Sequence, residues 1–247
     1  MANGTVIAAS PEEAPPPYKP MVDSIASLFD DPKYSDFEIE CGDKIWRVHK
    51  NIVGSRSDVL DRAFSGQFKE ASGNFIALLD DEGCVVREML RYIYTSDYHD
   101  EHYLWPSDED DENYCYKPML FNVLMHTTAD KYNIPALADL AAAKFKARAV
   151  KEWITEDFAN AIEEMYDTAP DSKKAMHACA VSTAVEHAQD LYENRLCGRF
   201  REVASKTPAF TSAFAARLVS EQGKAKRERV ATPMKNVFRS ARSPDAW

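Results

Sequence analysis

Apolar and polar residues alternate in the segment FEIEC, which starts at Phe37. This period of two is typical of a β-strand with one buried face. Gly42 and Asp43 then supply a two-residue turn, and the segment KIWRVH places Trp46 and Val48 on one side of a returning strand. The pattern therefore predicts a β-hairpin with one hydrophobic face.

The spacing of apolar residues becomes helical after this hairpin. Ser57 has the position of an N-cap for a short helix that carries Leu60 and Phe64. The segment NFIALLD predicts another strand, with Ile76 and Leu78 on one face. The segment CVVREMLRYIYTSDY predicts an amphipathic helix. Its apolar positions at helical spacing are Val86, Met89, Leu90 and Ile93.

A short amphipathic helix is predicted ahead of the hairpin, in the segment MVDSIASLFDD. Its apolar face consists of Val22, Ile25, Leu28 and Phe29. Helical patterns also dominate the second half of the chain, in EWITEDFANAIEEMYDTAP, KKAMHACAVSTAVEHAQDLYE and TSAFAARLVSEQ. The chain therefore combines a mixed α/β region with an all-helical region.

Composition changes along the chain and divides it into four parts. Residues 1–20 contain five prolines and predict a disordered leader. Residues 21–150 form the mixed α/β region, which includes an acidic insertion at 99–117. Residues 151–222 form the helical region. Residues 223–247 have no clear core face and predict a basic, flexible tail.

Charge and cysteine content narrow the classes of partner. The 247 residues are 45% apolar and carry a formal charge of -10, which repels phosphate backbones and anionic lipids. Protein partners are therefore expected in preference to nucleic acid or membrane. Five scattered cysteines without a CxxC pair indicate free thiols in a reducing compartment, and no signal peptide or long apolar run is found.

The segment SDFEIECGDKIWRVHKNIVGSRSDVLDRAFSGQFKEASGNFIALLDDEGCVVREMLRYIYTSDY, together with ADKYNIPALADLA, resembles the BTB (POZ) domain. The resemblance covers residues 35–150 and includes the strand-His-Lys-helix junction, SRS, F-K-E and YIYT-DY in the family's order. The insertion between Tyr98 and Pro118 is longer than usual there, and Asp58 stands where many members carry proline. The resemblance implies an α+β fold, in which helices flank a small mixed sheet. The helical region that follows resembles a BACK-like extension.

The resemblance also implies a dimerisation and adaptor module without a catalytic centre. In members with a charged pocket near the dimer interface, its residues correspond to Asp36 and Lys50, which are expected to form an ion pair. His49 is then a packed, hydrogen-bonded junction residue, because it lacks a nucleophile or an orienting carboxylate at recognisable spacing. In longer members a leading helix packs at the dimer interface. The face formed by Val22 to Phe29 has that role or covers its own domain.

BTB adaptors bind a cullin through a hydrophobic-x-Glu motif between the second helix and the next strand. Phe68 and Glu70 occupy that place here, and the alternative is a loop in which Phe68 folds onto its own core. The resemblance therefore implies a homodimeric substrate adaptor for a cullin-based E3 ubiquitin ligase, with an unidentified protein substrate. The alternative is a dimeric scaffold or transcription-associated factor that does not bind a cullin.

The sequence gives little support for a metal site, a cofactor site or a catalytic site. His99, His102 and Cys115 do not match a zinc ligand spacing, and the acidic run SDEDDEN lacks the glycine and the final glutamate of a calcium loop. No nucleotide-binding loop or nucleophile elbow is found, so we expect no cofactor and no enzymatic activity. A basic cluster near the C-terminus is either a nuclear import signal or only a soluble tail, so we expect the protein in the cytoplasm, the nucleus or both. It comprises Lys224, Lys226, Arg227 and Arg229.

Overall fold

The structure is a computed structural model, and it describes residues 19–65, 74–101, 116–168 and 174–231. The described residues divide into two compact units. The first comprises 19–65, 74–101 and 124–141, and the second comprises 116–123, 142–168 and 174–231.

The first unit contains four helices and the three strands of a small mixed sheet. These elements are α1 Lys19–Ala26, β1 Phe37–Cys41, β2 Lys44–Val48, α2 Lys50–Gly54, α3 Asp58–Phe64, β3 Phe75–Ala77 and α4 Gly83–Thr95. Two long helices, α5 Pro118–Lys131 and α6 Pro135–Glu152, contribute residues to both units. The second unit continues with α7 Glu156–Thr168, α8 Lys174–Glu186, α9 Ala188–Glu193, a 3-10 turn Arg195–Cys197, α10 Gly198–Lys206 and α11 Pro208–Ala231.

The sheet has the strand order β2-β1-β3. β1 and β2 are antiparallel, with Ile39 opposite Trp46, whereas β1 and β3 are parallel, with Ile39 beside Ile76. Gly42 closes the hairpin with a φ of +59°, a value that glycine adopts without a steric cost. Burial alternates along β1, as predicted from its period of two.

Ser57 caps α3 as predicted and also joins two distant parts of the first unit. Its hydroxyl accepts a hydrogen bond from the Leu60 N–H at 3.1 Å and donates to the Tyr132 carbonyl at 2.6 Å. The Asp81 carboxylate accepts hydrogen bonds from the Lys131 ammonium group and the Tyr132 hydroxyl, both at 2.7 Å. Burial raises the pKa of the Tyr132 hydroxyl, and the Asp81 hydrogen bond raises it further.

α4 presents its predicted apolar face to the interior. Its predicted core residues are all buried: Val86, Met89, Leu90 and Ile93. The helix ends because Ser96 adopts a left-handed conformation with a φ of 62°, and its N–H donates to the Tyr92 carbonyl. Beyond it, the His99 N–H donates at 2.8 Å to the buried Glu88 carboxylate, which fixes the path of the exit segment.

The second unit has a core built mainly from helices α7, α8, α10 and α11. Phe158 and Ile162, two positions of the predicted amphipathic pattern, are fully buried in it. Rings of Phe158, Phe200 and Phe210 pack in succession, with centroids about 6 Å apart. The fold therefore belongs to the predicted α+β class and carries the predicted helical extension.

Asp157 connects two helix N-termini of the second unit. This buried carboxylate lies in the first turn of α7 and accepts the N–H groups of Met119 at 2.7 Å and Leu120 at 3.1 Å. These groups lack partners inside α5, because they belong to its first turn. Burial raises the pKa of the Asp157 carboxyl, although its two backbone hydrogen bonds oppose that change.

Two predicted boundaries differ from the structure. The chain passes from the first compact unit to the second between Ala141 and Ala142, inside α6, and the domain boundary predicted at residue 150 stays a prediction. β3 spans only Phe75–Ala77, less than the predicted NFIALLD strand. α11 continues to Ala231, so residues 223–231 are helical and not part of a flexible tail. That segment is rich in Ala, Lys, Arg and Glu, which favour helix and outweigh the single Gly223.

Candidate interaction site

His49 lies between β2 and α2 and is buried. Its Nε2 is 2.8 Å from the Lys33 carbonyl, and its Nδ1 is 2.9 Å from the Tyr94 hydroxyl. A carbonyl oxygen only accepts, so Nε2 carries the proton in the neutral ring and Nδ1 accepts from Tyr94. The same Tyr94 oxygen accepts the His49 backbone N–H at 2.9 Å.

This network fixes the strand-to-helix junction. Both ring nitrogens of His49 are engaged, so neither is available to a substrate in this arrangement. Burial also raises the pKa of Tyr94 to about 12, and therefore its hydroxyl keeps its proton at neutral pH. The prediction that His49 is a packed, hydrogen-bonded residue is confirmed.

Asp36 and Lys50 are neighbours, but not through the predicted ion pair. The Asp36 carboxylate accepts the Lys50 backbone N–H at 2.8 Å, which is the first N–H of α2. The Lys50 ammonium group instead lies 3.4 Å from the Asn74 side-chain oxygen and 4.8 Å from the centre of the Phe37 ring. The prediction is therefore corrected: Asp36 uses its charge at a helix N-terminus, where a carboxylate is favourable. The place of this pair in a dimer interface remains a prediction.

The predicted apolar face of α1 has two different environments. Val22 is 41% exposed and Met21 is also exposed, so the start of this face is open to solvent. Ile25 is partly buried, and Leu28 and Phe29 lie in the turn that follows the helix. The part of this face near Phe29 thus packs on the protein's own domain. The part near Val22 is exposed to solvent.

Phe29 is held by two arginines of α4. The guanidinium carbons of Arg87 and Arg91 lie 5.7 Å and 4.9 Å from the centre of its ring. Glu88 pairs with both arginines, at 2.9 Å and 3.1 Å, and Asp30 pairs with Arg87 at 3.3 Å. The end of the leading helix is therefore anchored to its own unit by packing and charge together.

The predicted cullin-binding residues, Phe68 and Glu70, lie outside the described residues. Their flanks are described: α3 ends at Phe64, whose ring lies 4.5 Å from that of Phe37, and β3 begins at the exposed Phe75. The segment that contains the motif therefore starts and ends on ordered elements of the first unit. Its role remains a prediction.

The predicted nuclear import cluster lies on α11, so its backbone is helical. The Lys224 ammonium group pairs with Glu221 at 3.1 Å, and Arg227 is exposed. The side chains of Lys226 and Arg229 lie outside the described residues. The import function of these four residues remains a prediction.

For possible metal and membrane sites, the structure describes residues 19–65, 74–101, 116–168 and 174–231. This part of the chain contains no group of three His, Cys, Asp or Glu side chains that would hold a metal ion. His102 and Cys115 lie outside it, as does most of the acidic insertion at 99–117. None of the helices described there combines the length and the apolar character that crossing a bilayer requires.

The sequence did not reveal a cleft beside β2. It has a volume of about 480 Å³ and runs between β2, the turn after α1 and α4. The residues that line it include Leu28, Phe29, Pro32, Ile45, Arg47 and Tyr94. The exposed Ile45 in a strand pattern was the one local indication, because an apolar residue on the polar face of a hairpin lacks a partner.

Comparison with known protein families identifies the region that contains the sheet and the His49 junction. The family model for the BTB/POZ domain matches residues 25–149, just over half of the chain. The match starts within α1 and includes the sheet, the His49 junction and nearly all of α6. Domains of this kind are in general protein-interaction modules without enzymatic activity. The chain therefore belongs to the BTB/POZ domain family.

Proposed function

We propose that this protein is a homodimeric adaptor that brings a protein substrate to a cullin-based ubiquitin ligase. The observation that carries the proposal is the BTB/POZ match over residues 25–149, which begins near the end of α1 and includes the segment with Phe68 and Glu70. The exposed start of α1 supports dimerisation, and the segment with Phe68 and Glu70 supports cullin binding.

Dimerisation is supported by the exposed start of α1. Met21 and Val22 present apolar surface to solvent, and such surface is covered in an assembly that buries it. The anchored Phe29 fixes the other end of α1, so the exposed end has a defined position on the domain. A second copy of the chain that packs on this end would bury both residues.

The dimer is tested with the variant Val22→Asp, which places a charge on the exposed face without disturbing a buried residue. We expect the molar mass from light scattering to be lower for this variant than for wild type, because the α1 contact is lost. Asp23→Ala, on the adjacent exposed position, is the matched control and should leave the mass unchanged. A wild-type protein that is monomeric at high micromolar concentration would refute the dimer.

Cullin binding is supported by the position of the Phe68-Lys69-Glu70 motif between α3 and β3. An aromatic anchor with a neighbouring carboxylate is a typical hot-spot arrangement. The test is a pull-down with the N-terminal region of a cullin, in which wild type is compared with the double variant Phe68→Ala, Glu70→Ala. We expect the double variant to lose at least about tenfold in affinity, since hot-spot truncation costs 2 kcal/mol or more.

The matched control for this pull-down is the double variant Leu79→Ala, Asp80→Ala. It removes an exposed apolar side chain and an adjacent carboxylate from the same unit, and it should retain cullin binding. Absence of binding by the wild type would remove the cullin proposal. A dimer without cullin binding would instead be the scaffold or transcription-associated factor of the alternative.

The second unit has a place in this proposal as the part that positions the substrate. Its buried aromatic core supports a rigid helical body, as expected for an extension that lengthens an adaptor. The cluster on α11 that includes Lys224 and Arg227 is proposed to direct the protein to the nucleus, in addition to the cytoplasm. Loss of nuclear signal from a fluorescent fusion after all four basic residues are changed to alanine tests this assignment.

A further inference from the structure

The backbone groups of β1 establish which side of each strand is paired. The Glu38 N–H donates to the Asn74 carbonyl at 2.9 Å, and the Leu78 N–H donates to the Glu40 carbonyl at 2.7 Å. Both bonds join β1 to β3. Successive residues of a strand direct their backbone groups to opposite sides. The backbone groups of Phe37, Ile39 and Cys41 therefore point toward β2.

The same alternation identifies two unpaired residues on β2. Ile39 faces β2 and lies opposite Trp46, so the backbone groups of Trp46 point toward β1. Those of Ile45 and Arg47 therefore point away from the sheet. β2 is the outer strand of the order β2-β1-β3, so these groups lie on a free sheet edge within the described residues.

Among the described residues, no strand lies beside this edge. The cleft of about 480 Å³ runs beside it, and Ile45 is 60% exposed there. Farther along, the outward N–H of His49 is already bonded to the Tyr94 hydroxyl. A free edge with an exposed apolar side chain and no proline is a template for pairing with another strand.

We propose that β2 forms a second contact between copies of this chain, in which two β2 strands pair antiparallel across a twofold axis at Ile45. The pairing places Ile45 beside Ile45 of the other copy. It also places Asp43 of each copy beside Arg47 of the other copy. The twofold axis therefore produces this contact two times. The sheet then continues through both copies as six strands.

Charge complementarity favours a second copy over other occupants of this edge. In the proposed register, Ile45 meets Ile45, Asp43 meets Arg47 and Lys44 meets Trp46, so no like charges face each other. Arg47 already lies 3.2 Å from Glu38 and is well exposed, so its guanidinium group is held on the face where Asp43 would meet it. An extended segment of a different protein would have no such fixed partner for Arg47.

This contact uses a different surface from the α1 dimer and goes beyond the proposed function. The test compares Ile45→Lys with wild type by light scattering over a range of concentrations. We expect self-association through β2 to weaken at least about tenfold, because two lysines would face each other at the axis. Leu79→Lys is the matched control, since Leu79 is 87% exposed in the same unit and lies outside β2.

A second variant, Ile45→Pro, removes one outward N–H and leaves the hydrogen bonds between β1 and β2 intact. It should weaken the same association. Both variants are also prepared in the Val22→Asp background, where the α1 dimer is absent. The β2 contact and the α1 dimer are thereby judged separately, because each variant removes one contact and leaves the other in place.

Hydrogen exchange of individual amides locates the contact. In the monomer, the amides of Ile45 and Arg47 should exchange faster than that of Trp46, which is bonded to β1. Raising the protein concentration should slow exchange at Ile45 and Arg47 alone, and Ile45→Lys should abolish this effect. Unchanged mass in the Ile45 variants, or fast exchange of both amides at all concentrations, would overturn the proposal. Protection that appears only with an added foreign peptide would also overturn it.

Discussion

Replacing Asp157 by alanine should destabilise the second unit, because its carboxylate caps α5 from a distant part of the chain. The residue before α5 is Lys117, whose side chain has no oxygen acceptor, so the N–H groups of Met119 and Leu120 depend on Asp157. The loss of a cap costs about 0.5–2 kcal/mol, and a buried donor without a partner costs about 1–3 kcal/mol. Because Met119 is fully buried, we expect a loss of about 2 kcal/mol.

The pH dependence of this effect follows from the raised pKa of Asp157, whose largest cause is burial. An acid whose pKa is higher in the folded state than in the unfolded state stabilises the fold at pH values below its unfolded-state pKa. This stabilisation is lost as the pH rises through the folded-state pKa. Wild type should therefore gain stability relative to Asp157→Asn as pH falls from 7 toward about 4. The amide of the Asn variant retains one acceptor oxygen and does not titrate.

The assay is urea unfolding and thermal unfolding, each followed by circular dichroism at several pH values, for wild type, Asp157→Asn and Asp157→Ala. At pH 7 the alanine variant should have a melting temperature about 10 °C below wild type. A wild-type advantage over Asp157→Asn that shrinks toward low pH would refute the reasoning. That result would mean that the two backbone hydrogen bonds outweigh the cost of burying the charge.

Two further predictions concern the first unit. Ser57→Ala removes the cap of Leu60 and the hydrogen bond to the Tyr132 carbonyl, and should lower the free energy of unfolding by about 2 kcal/mol in chemical denaturation. Tyr34→Gly should raise it by about 1 kcal/mol, because Tyr34 is 81% exposed and adopts a φ of 65° that costs a side chain energy. A lower melting temperature for Tyr34→Gly would contradict this prediction.

Local patterns predicted the elements whose physical cause is also local. The β1–β2 hairpin follows from a period of two and a glycine turn, and the start of α3 follows from Ser57. The end of α11 was predicted too early because the absence of an apolar face was taken as the absence of a helix. The propensity of its alanines and charged residues, together with the Arg217–Glu221 pair, is sufficient to extend it.

Contacts between distant residues were predicted less completely. The sequence indicated that His49 is a structural residue, but its partners Lys33 and Tyr94 lie 16 and 45 positions away and follow no periodicity. It placed Asp36 beside Lys50 and missed which atoms meet, because a helix N-terminus competes with an ammonium group for the same carboxylate.

The division of α5 and α6 between two units has a practical consequence for recombinant fragments. A fragment cut at residue 149, where the family match ends, would keep Met119, Val123 and Phe145 but lose the helices that cover them. Each of these fully buried side chains would then expose apolar surface worth about 1.5–3 kcal/mol to water. Such a fragment would aggregate for reasons unrelated to its native partners, so binding studies require the chain at least through α11.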